Sequence, residues 1–339
     1  MPVLVTGATG HIGNTVSRML IEQGREVRAL IRSSGDTRSL RDLDLERVEA
    51  NILVPDTLEQ VVRGCEVLYH AAAVDRTWSR NPVLEIIQPA VEGTRNILHA
   101  AKQARVKKIV YVSSVVAMGG GKSFHHQRSV DDWFSNPKLP YNIAKTQSEQ
   151  VAHQLAEDLE LNIVFVLPGM VLGSHDYRIT PSTALVRDFL RGKIPFYFNG
   201  GFTVVHVEDV ARGMLLAEQE GLSGSRYILG GDQVTVQDLL NQLAEMTKQS
   251  APGLRLSKQK AKILSYPRKW MAQLSRTPAL LTPEFVEDHF NRYYNFSSEH
   301  SQETLGYEYQ SLLRVLEDTI NWLINQNIIS PNIREIENL

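Results

Sequence analysis

The first half of the chain alternates short apolar runs with longer segments in which apolar residues recur at helical spacing. The apolar runs predict six β-strands, at residues 3–5, 27–31, 48–52, 67–70, 108–112 and 163–167. Helical segments separate them, among others at residues 14–23, 81–105 and 141–159. Strands joined by helices of this length are connected by right-handed crossovers, so the pattern predicts a parallel sheet covered by helices on both faces.

After Pro168 the spacing changes. Strand-like runs at 194–198, 203–207 and 227–229 alternate with shorter helices, one of which begins after Thr235. We therefore predict an α/β fold, a Rossmann-type doubly wound parallel sheet with a smaller C-terminal α+β region. Residues 1–170 are expected to form a dinucleotide-binding domain, to which a strand and helix near 203–218 return. Residues 171–339 are expected to form mainly the substrate-binding region.

Composition narrows the classes of protein. The 339 residues are 42% hydrophobic and 22% charged, as in ordinary globular proteins. The 36 basic and 38 acidic residues give a net charge of −2, which argues against a nucleic-acid partner. A single cysteine, Cys65, excludes an internal disulfide and a cysteine-based zinc site, and no metal site is expected. We see no long apolar run and no secretory leader, so we expect a cytoplasmic protein.

A glycine-rich turn follows the first strand and precedes the first helix. Its glycines, Gly7, Gly10 and Gly13, have the spacing G-x-x-G-x-x-G. In such a turn the first glycine permits the sharp bend, the second lets the backbone approach a pyrophosphate, and the third lets the helix pack on the sheet. This context predicts a dinucleotide site; the alternative is a tight turn with no ligand.

The end of the second strand indicates which dinucleotide binds. NAD sites usually place an acidic residue there for the ribose hydroxyls. This chain has no acid before Asp36, whereas Arg32 is suited to bind a 2′-phosphate and Arg38 to assist it. The cofactor expected is NADP(H) rather than NAD(H), the alternative for Arg32 being an ordinary surface arginine.

Three side chains suggest acid–base chemistry on a carbonyl group. Tyr141 and Lys145 lie four residues apart, on one face of a predicted helix. A free tyrosine has a pKa of about 10, and a nearby ammonium group favours its phenolate. Ser114 follows the fifth strand, at the carboxyl edge where open α/β sheets bind ligands, and its hydroxyl is suited to polarise a carbonyl oxygen. The alternative is a surface helix pair of no function.

Seven segments together resemble the extended short-chain dehydrogenase/reductase superfamily, and within it the dihydroflavonol-4-reductase-like group. They are T-G-A-T-G-H-I-G at 6–13, H-A-A-A at 70–73, A-V-E-G-T at 90–94, Y-V-S-S at 111–114, Y-N-I-A-K at 141–145, L-P-G-M-V-L-G at 167–173 and V-V-H-V-E-D-V-A at 204–211. Arg32 and the pair Leu167-Pro168 favour that group over nucleotide-sugar epimerases.

The resemblance implies a catalytic set of Ser114, Tyr141 and Lys145. The cofactor contacts that it implies are Gly7, Thr9, Gly10, His11, Ile12, Gly13, Arg32, Asn51, Ile52, Ala71, Ala72, Ala73, Tyr141, Lys145, Pro168, Gly169 and Val171. Asn51 and Ala90 depart from the family pattern, which usually has Asp and often Asn there. His70 we interpret as a buried structural histidine.

The leading hypothesis is an NADPH-dependent reductase of a small carbonyl compound, in which Tyr141 supplies the proton. Six aromatic side chains would favour an apolar or aromatic substrate if they line its cleft: Trp78, Trp133, Phe134, Tyr177, Phe196 and Tyr197. One alternative is an NAD-dependent epimerase or dehydratase of a nucleotide sugar or lipid-linked sugar, whose pyrophosphate Arg187, Arg191 and Lys193 would bind. Another is a non-catalytic NADP-binding redox sensor, which often lacks a Tyr–Lys pair. Either a monomer or a homodimer is compatible with the sequence.

One stretch of the second half is basic. No acidic residue lies between Glu245 and Glu284, while eight basic residues do: Lys248, Arg255, Lys258, Lys260, Lys262, Arg268, Lys269 and Arg276. The simpler interpretation is a solvated helical face. The alternative is that residues 248–276 form a basic amphipathic surface for peripheral contact with lipid headgroups or an anionic substrate.

Overall fold

The computed structural model describes residues 1–33, 35–74, 77–126, 128–275 and 281–329. The strands are β1 (Val3–Thr6), β2 (Val27–Ile31), β3 (Glu46–Glu49), β4 (Val67–His70), β5 (Lys108–Val112), β6 (Ile163–Pro168), β7 (Met170–Leu172), β8 (Gly200–His206), β9 (Arg226–Leu229), β10 (Asp232–Thr235) and β11 (Arg292–Tyr294). The helices are α1 (His11–Glu22), α2 (Leu58–Val62), α3 (Gln88–Gln103), α4 (Pro140–Asp158), α5 (Pro181–Leu190), α6 (Val207–Glu220), α7 (Val236–Thr247), α8 (Lys258–Ser275), α9 (Pro283–His289), α10 (Glu299–Leu305) and α11 (Leu312–Asn325).

Seven parallel strands form the large sheet, in the order β3-β2-β1-β4-β5-β6-β9. The chain runs outward from β1 through β2 to β3, then returns to the other side of β1 and continues from β4. This reversal leaves a crevice beside the carboxyl end of β1, the place where doubly wound sheets bind ligands. The predicted Rossmann-type α/β fold is confirmed.

Helices cover both faces of this sheet, which explains why its inner strands are mostly apolar. All six residues of β6 are buried. Successive strand residues point to opposite faces, so Leu4 packs in one core with residues of α2, α3 and α4, whereas Val3 and Val5 pack in a second core with α1 and α6. A strand buried on both faces needs no polar alternation.

A second sheet forms around β8. Strand β10 pairs with β8 in antiparallel orientation, while β7 and β11 pair with it in parallel. The strand near 203, which we expected to return to the dinucleotide-binding domain, is thus hydrogen-bonded within the second sheet, and β9 is the strand that joins the large sheet, beside β6. Helix α6 does pack against α1 and β6. An apolar run predicts that a strand exists but not which sheet completes its hydrogen bonds, because pairing is long-range. The boundary at residue 170 stays a prediction.

Two further boundaries differ from the sequence prediction. Strand β3 ends at Glu49, so Asn51 and Ile52 lie beyond it. It is an edge strand that pairs with β2, and its charged residues are exposed, so no apolar run marks its bounds in the sequence. Residues 194–198 form no strand; only Tyr197 makes an isolated bridge, with Arg255.

Candidate active site

The glycine-rich turn brings the backbones of three segments together. Gly7 has φ +74°, and a Cβ atom there would lie 2.7 Å from the backbone of Ala71 and Ala72. A Cβ atom on Gly13 would collide with the carbonyl oxygen of Gly7. Gly10 precedes α1 and gives it no side-chain cap, so the first-turn amides of α1 remain available to an anion. These features fit a dinucleotide pyrophosphate.

The carboxyl ends of β1 and β4 are joined by hydrogen bonds below this turn. The Thr6 hydroxyl lies 2.8 Å from Nδ1 of His70 and accepts a bond from the Ala72 amide at 3.3 Å. His70 is buried, and burial, assisted by the charge of Lys145, lowers its pKa to about 3. His70 is therefore a neutral, structural residue, as we predicted, and Ala71 and Ala72 are held at the crevice.

The two arginines after β2 differ in their surroundings. Arg32 is exposed directly beyond the strand and forms no ion pair with any residue that the structure describes. The Arg38 guanidinium instead binds the Asp36 carboxylate, 2.7 Å away at the closest atoms, and holds the pKa of that carboxyl at about 2. Arg38 is thus occupied by Asp36, and Arg32 remains the available cation.

A loop after β7 lies across the glycine-rich turn and carries an arginine that the sequence analysis missed. Arg178 donates a hydrogen bond from Nη2 to the Thr9 hydroxyl at 2.6 Å. Its charge also contributes to the low pKa of Asp36. No local motif marks Arg178, because 169 residues separate it from Thr9.

The same loop is fastened to α1 and α11 through partly buried hydrogen bonds. Nε2 of His11 lies 2.8 Å from the Ser174 carbonyl oxygen, and since a carbonyl can only accept, Nε2 carries the hydrogen. Asp318 accepts from the Ser174 amide at 2.8 Å and lies 3.1 Å from Nε2 of His206. Burial lowers the pKa of His11. Nε2 of His11 is thus committed to the loop and is not available to a cofactor.

Asn51 and Ile52 lie in the turn after β3. Oδ1 of Asn51 accepts a bond from the Leu53 amide at 3.0 Å, and its side chain is otherwise exposed. Ile52 packs so tightly against Gly93 of α3 that a Cβ atom there would lie 2.7 Å from Cδ1 of Ile52. Asn51 therefore retains its side-chain NH₂ group for an adenine edge.

The segment from Pro168 to Val171 passes from one sheet to the other. Pro168 ends β6, and Val171 pairs with Val205 in the second sheet. A Cβ atom on Gly169 would collide with the carbonyl oxygen of Thr203. This segment therefore lies where the two sheets meet.

The predicted catalytic residues are assembled from two elements. Tyr141 and Lys145 lie half-buried in the first turns of α4. Nζ of Lys145 donates to the carbonyl oxygens of Val112 at 3.1 Å and Ser113 at 3.2 Å. Ser114 follows immediately, and its Oγ accepts from the Val116 amide at 3.4 Å. The lysine ammonium is thus fixed at the carboxyl end of β5, beside Ser114.

A buried ion pair between Glu149 and Arg226 contacts this end of β5 through Ser113. Oγ of Ser113 donates to the Glu149 carboxylate, which is fully buried and pairs with Nε of Arg226 at 2.8 Å. Glu149 lies one turn after Lys145 on α4. Ser113 therefore makes two contacts with α4: its carbonyl accepts from Lys145 and its hydroxyl donates to Glu149. The role of Glu149 was not predicted from the sequence.

Asp288 of α9, also missed, holds the start of α4. Its carboxylate accepts from the Leu139 amide at 2.8 Å, from the Lys138 amide at 2.9 Å and from Nδ2 of Asn142 at 2.9 Å. Burial raises the pKa of this carboxyl. A carboxylate at a helix N-terminus satisfies free amides and favours the helix dipole, so Asp288 positions the turn that carries Tyr141.

The six aromatic residues proposed for the substrate cleft do not lie together. Phe134 packs on the segment that follows β5, where its amide donates to the Ala117 carbonyl at 2.8 Å. Trp133 lies under the Arg226 guanidinium and against the ring of His153. His153 is about 18 Å from Tyr141 along the axis of α4. The others are half-buried (Trp78), packed edge-on against Trp322 (Tyr177) or packed in separate apolar clusters (Phe196 and Tyr197).

Comparison with known proteins agrees with this geometry. The profile of the NAD dependent epimerase/dehydratase family matches residues 3–230. The "Putative dihydroflavonol 4-reductase" of Synechocystis is 33% identical over 334 residues, which cover 96% of this chain and 95% of that protein.

Solved structures share the fold. The crystal structure of gox2253 superimposes with a TM-score of 0.84 at 31% identity, covering 96% of this chain and 98% of that one. A UDP-glucuronic acid 4-epimerase of Bacillus cereus, solved with UDP-glucuronic acid and NAD, has a TM-score of 0.76 at 20% identity, over 96% of this chain and all of that one, a likeness of fold alone. The chain therefore belongs to the NAD-dependent epimerase/dehydratase family, within the extended short-chain dehydrogenase/reductases, and dihydroflavonol 4-reductase-like proteins are among its relatives.

Proposed function

We propose that the protein is an NADPH-dependent reductase of a small carbonyl compound. The observation that carries this proposal is the position of Lys145. Its ammonium is held by two carbonyl oxygens at the end of β5, next to Ser114 and on the helix turn that follows Tyr141. A fixed positive charge beside Ser114 and one helical turn from Tyr141 supports the assignment of a proton donor and a polarising hydroxyl to this edge of the sheet.

Each of the three side chains has a distinct task in the proposed reaction. When bound, NADPH supplies the hydride. Tyr141 donates the proton to the substrate oxygen, and the hydroxyl of Ser114 binds that oxygen. The positive charge of Lys145 favours the phenolate that Tyr141 becomes, and the ammonium is also suited to bind a ribose hydroxyl. The glycine-rich turn and Ala71 to Ala73 would hold the dinucleotide.

Arg32 supports the choice of NADP(H). It is an exposed guanidinium at the end of β2, where the first acidic residue, Asp36, is already neutralised by Arg38. A guanidinium binds a 2′-phosphate with two charge-assisted hydrogen bonds.

The contacts of two arginines weaken the nucleotide-sugar alternative. Arg187 pairs with Asp188, which neutralises its charge, and one donor of Arg191 is occupied by the Ile328 carbonyl. Lys193, the third cation considered for a pyrophosphate, is exposed and has no ion pair within the described residues. The similarity to a dihydroflavonol 4-reductase-like protein covers nearly the whole chain, whereas the epimerase likeness is one of fold. A non-catalytic redox sensor would have no need of the Lys145 contacts.

Substitution of Tyr141 tests the proposal. We expect Tyr141→Phe to bind NADPH within about twofold of the wild type while kcat for carbonyl reduction falls at least a hundredfold, since proton transfer contributes about 10² to 10⁴. Fluorescence titration of NADPH and a screen of aldehydes and ketones measure the two quantities. Tyr309→Phe, on an exposed tyrosine, serves as control. Unchanged turnover in Tyr141→Phe would exclude this mechanism.

A further inference from the structure

Helix α8 turns its large apolar residues outward. Toward the rest of the protein it buries only small side chains, those of Ala261, Ser265 and Ala272. Six large apolar side chains are instead between 49% and 72% exposed: Ile263, Leu264, Tyr266, Trp270, Met271 and Leu274. At about 100° per residue they occupy an arc of about 160°, opposite the buried residues.

This arrangement is the reverse of that of an ordinary surface helix, which buries its apolar stripe. Single exposed apolar residues are normal, but a continuous apolar face marks an interaction surface. We call this face, formed by the six residues named above, the outer face of α8. Water in contact with it is unfavourable, so a partner that covers it would be bound by the hydrophobic effect.

The charges around the outer face favour an anionic partner. Lys258 and Lys262 both pair with Glu287, and Lys269 pairs with Glu284, so α9 neutralises three of the lysines predicted to be solvated. Lys260 and Arg268 lack an acidic partner within the described residues. Arg276, the last of the basic stretch, lies outside those residues. Helix α8 itself carries no acidic residue.

Aromatic residues in the outer face distinguish lipid from other anionic partners. Trp270 and Tyr266 combine an apolar ring with a polar group and are enriched at membrane–water interfaces. An amphipathic helix with aromatic and aliphatic residues on one side and cations beside them lies in the headgroup region of a bilayer. No helix in the described part of the chain is long and apolar enough to span a membrane, so such contact would be peripheral.

We propose that α8 docks the protein on the surface of an anionic bilayer, with its outer face inserted among the headgroups. One element, α9, lies between α8 and α4, the helix that carries Tyr141. Helix α8 packs against α9, whose Asp288 holds the start of α4 and the turn of Tyr141. Docking does not depend on the reductase activity proposed above, and vesicle binding tests it separately.

The experiment compares vesicle binding by the full chain and by charge-insertion variants. The wild type should co-sediment with vesicles of equal phosphatidylcholine and phosphatidylglycerol, more weakly with phosphatidylcholine alone. Ile263→Glu/Leu274→Glu should reduce binding at least tenfold without changing the circular dichroism, because both side chains are exposed. Leu222→Glu, on an equally exposed leucine outside α8, should bind as the wild type does.

Two further measurements separate lipid from a second copy of the chain. Trp270 fluorescence should shift to the blue with anionic vesicles, and Trp270→Phe should lose the shift. Lys260→Glu/Arg268→Glu should abolish the preference for phosphatidylglycerol. The proposal would be overturned if the wild type failed to bind vesicles. It would also be overturned if Ile263→Glu/Leu274→Glu bound them as strongly as the wild type does. A lipid-free dimer that Ile263→Glu/Leu274→Glu dissociates would overturn it too, because the outer face would then be a subunit interface.

Discussion

Two arginines that follow β2 show how the surroundings of a residue decide its role. Arg32 and Arg38 were both considered for a 2′-phosphate, and both are exposed. Among the described residues only Arg38 has a carboxylate in contact, that of Asp36, whose pKa it lowers to about 2. A guanidinium that already binds a carboxylate gains little binding free energy from a second anion. Arg32 has no such carboxylate within the described residues, so a 2′-phosphate would displace none.

We therefore predict that Arg32→Ala lowers the affinity for NADP(H) about tenfold or more and leaves NAD(H) affinity within about twofold. The measurement is isothermal titration of both nucleotides. The control is Asp36→Ala/Arg38→Ala, which removes the neutral pair together and should keep the NADP-to-NAD preference. Equal affinities for the two nucleotides in the wild type would remove the basis for choosing NADP(H).

At the scale of elements, the active site depends on contacts that fasten α4 to β5. Lys145 reaches across to the carbonyls of Val112 and Ser113, and Ser113 reaches back to Glu149 of the same helix. The register of α4 against β5 is thus fixed on both sides of Ser113. Small displacements of reacting groups cost rate steeply, so this fixing bears on turnover.

Ser113→Ala removes one of these contacts while Glu149 keeps its bond to Arg226. We expect a loss of about 1–2 kcal/mol in the free energy of unfolding and a fall of about tenfold in kcat, with NADPH affinity unchanged. Ser301→Ala is a matched control, because Ser301 is also buried and donates to a carbonyl, that of Ile228, at 2.8 Å. If both variants lose kcat equally, Ser113 has only a structural role.

For the molecule as a whole, buried histidines link stability to pH. Burial lowers the pKa of His289 to about 4 and that of His70 to about 3. Below pH 6.5 the unfolded chain binds protons at these side chains and the folded chain does not. The free energy of unfolding therefore falls as the pH falls from about 6.5 toward 4.

His289→Phe tests this linkage, because the ring already packs against Phe285 and Tyr294. Between pH 7 and pH 5 the wild type should lose about 2 kcal/mol more of its unfolding free energy than the variant. Urea unfolding at the two pH values measures the difference. His99→Phe, on the exposed side of α3, should lose as much as the wild type; identical losses in all three proteins would contradict the prediction.

The order of strands and helices in the first half of the chain, the glycine-rich turn and the Tyr–Lys pair were determined by the sequence itself. Each is a local pattern: the period of apolar residues reports burial on one or two faces, and Gly7 and Gly13 report backbones too close for a Cβ atom. Residues on successive strands of a parallel sheet meet at its carboxyl edge, which is why Ser114 could be assigned to the site of Tyr141 and Lys145.

Only the tertiary structure decided which sheet receives β8, that Arg178 reaches Thr9, that Asp288 holds the start of α4, and that Glu149 and Arg226 support Ser113. Each of these contacts joins residues far apart in the chain, and no local pattern encodes such a contact. The surroundings of the basic stretch at residues 248–276 likewise could not be predicted from the sequence. Its lysines looked like a solvated face, but α9 pairs three of them, and packing of small residues inward left the apolar side of α8 exposed.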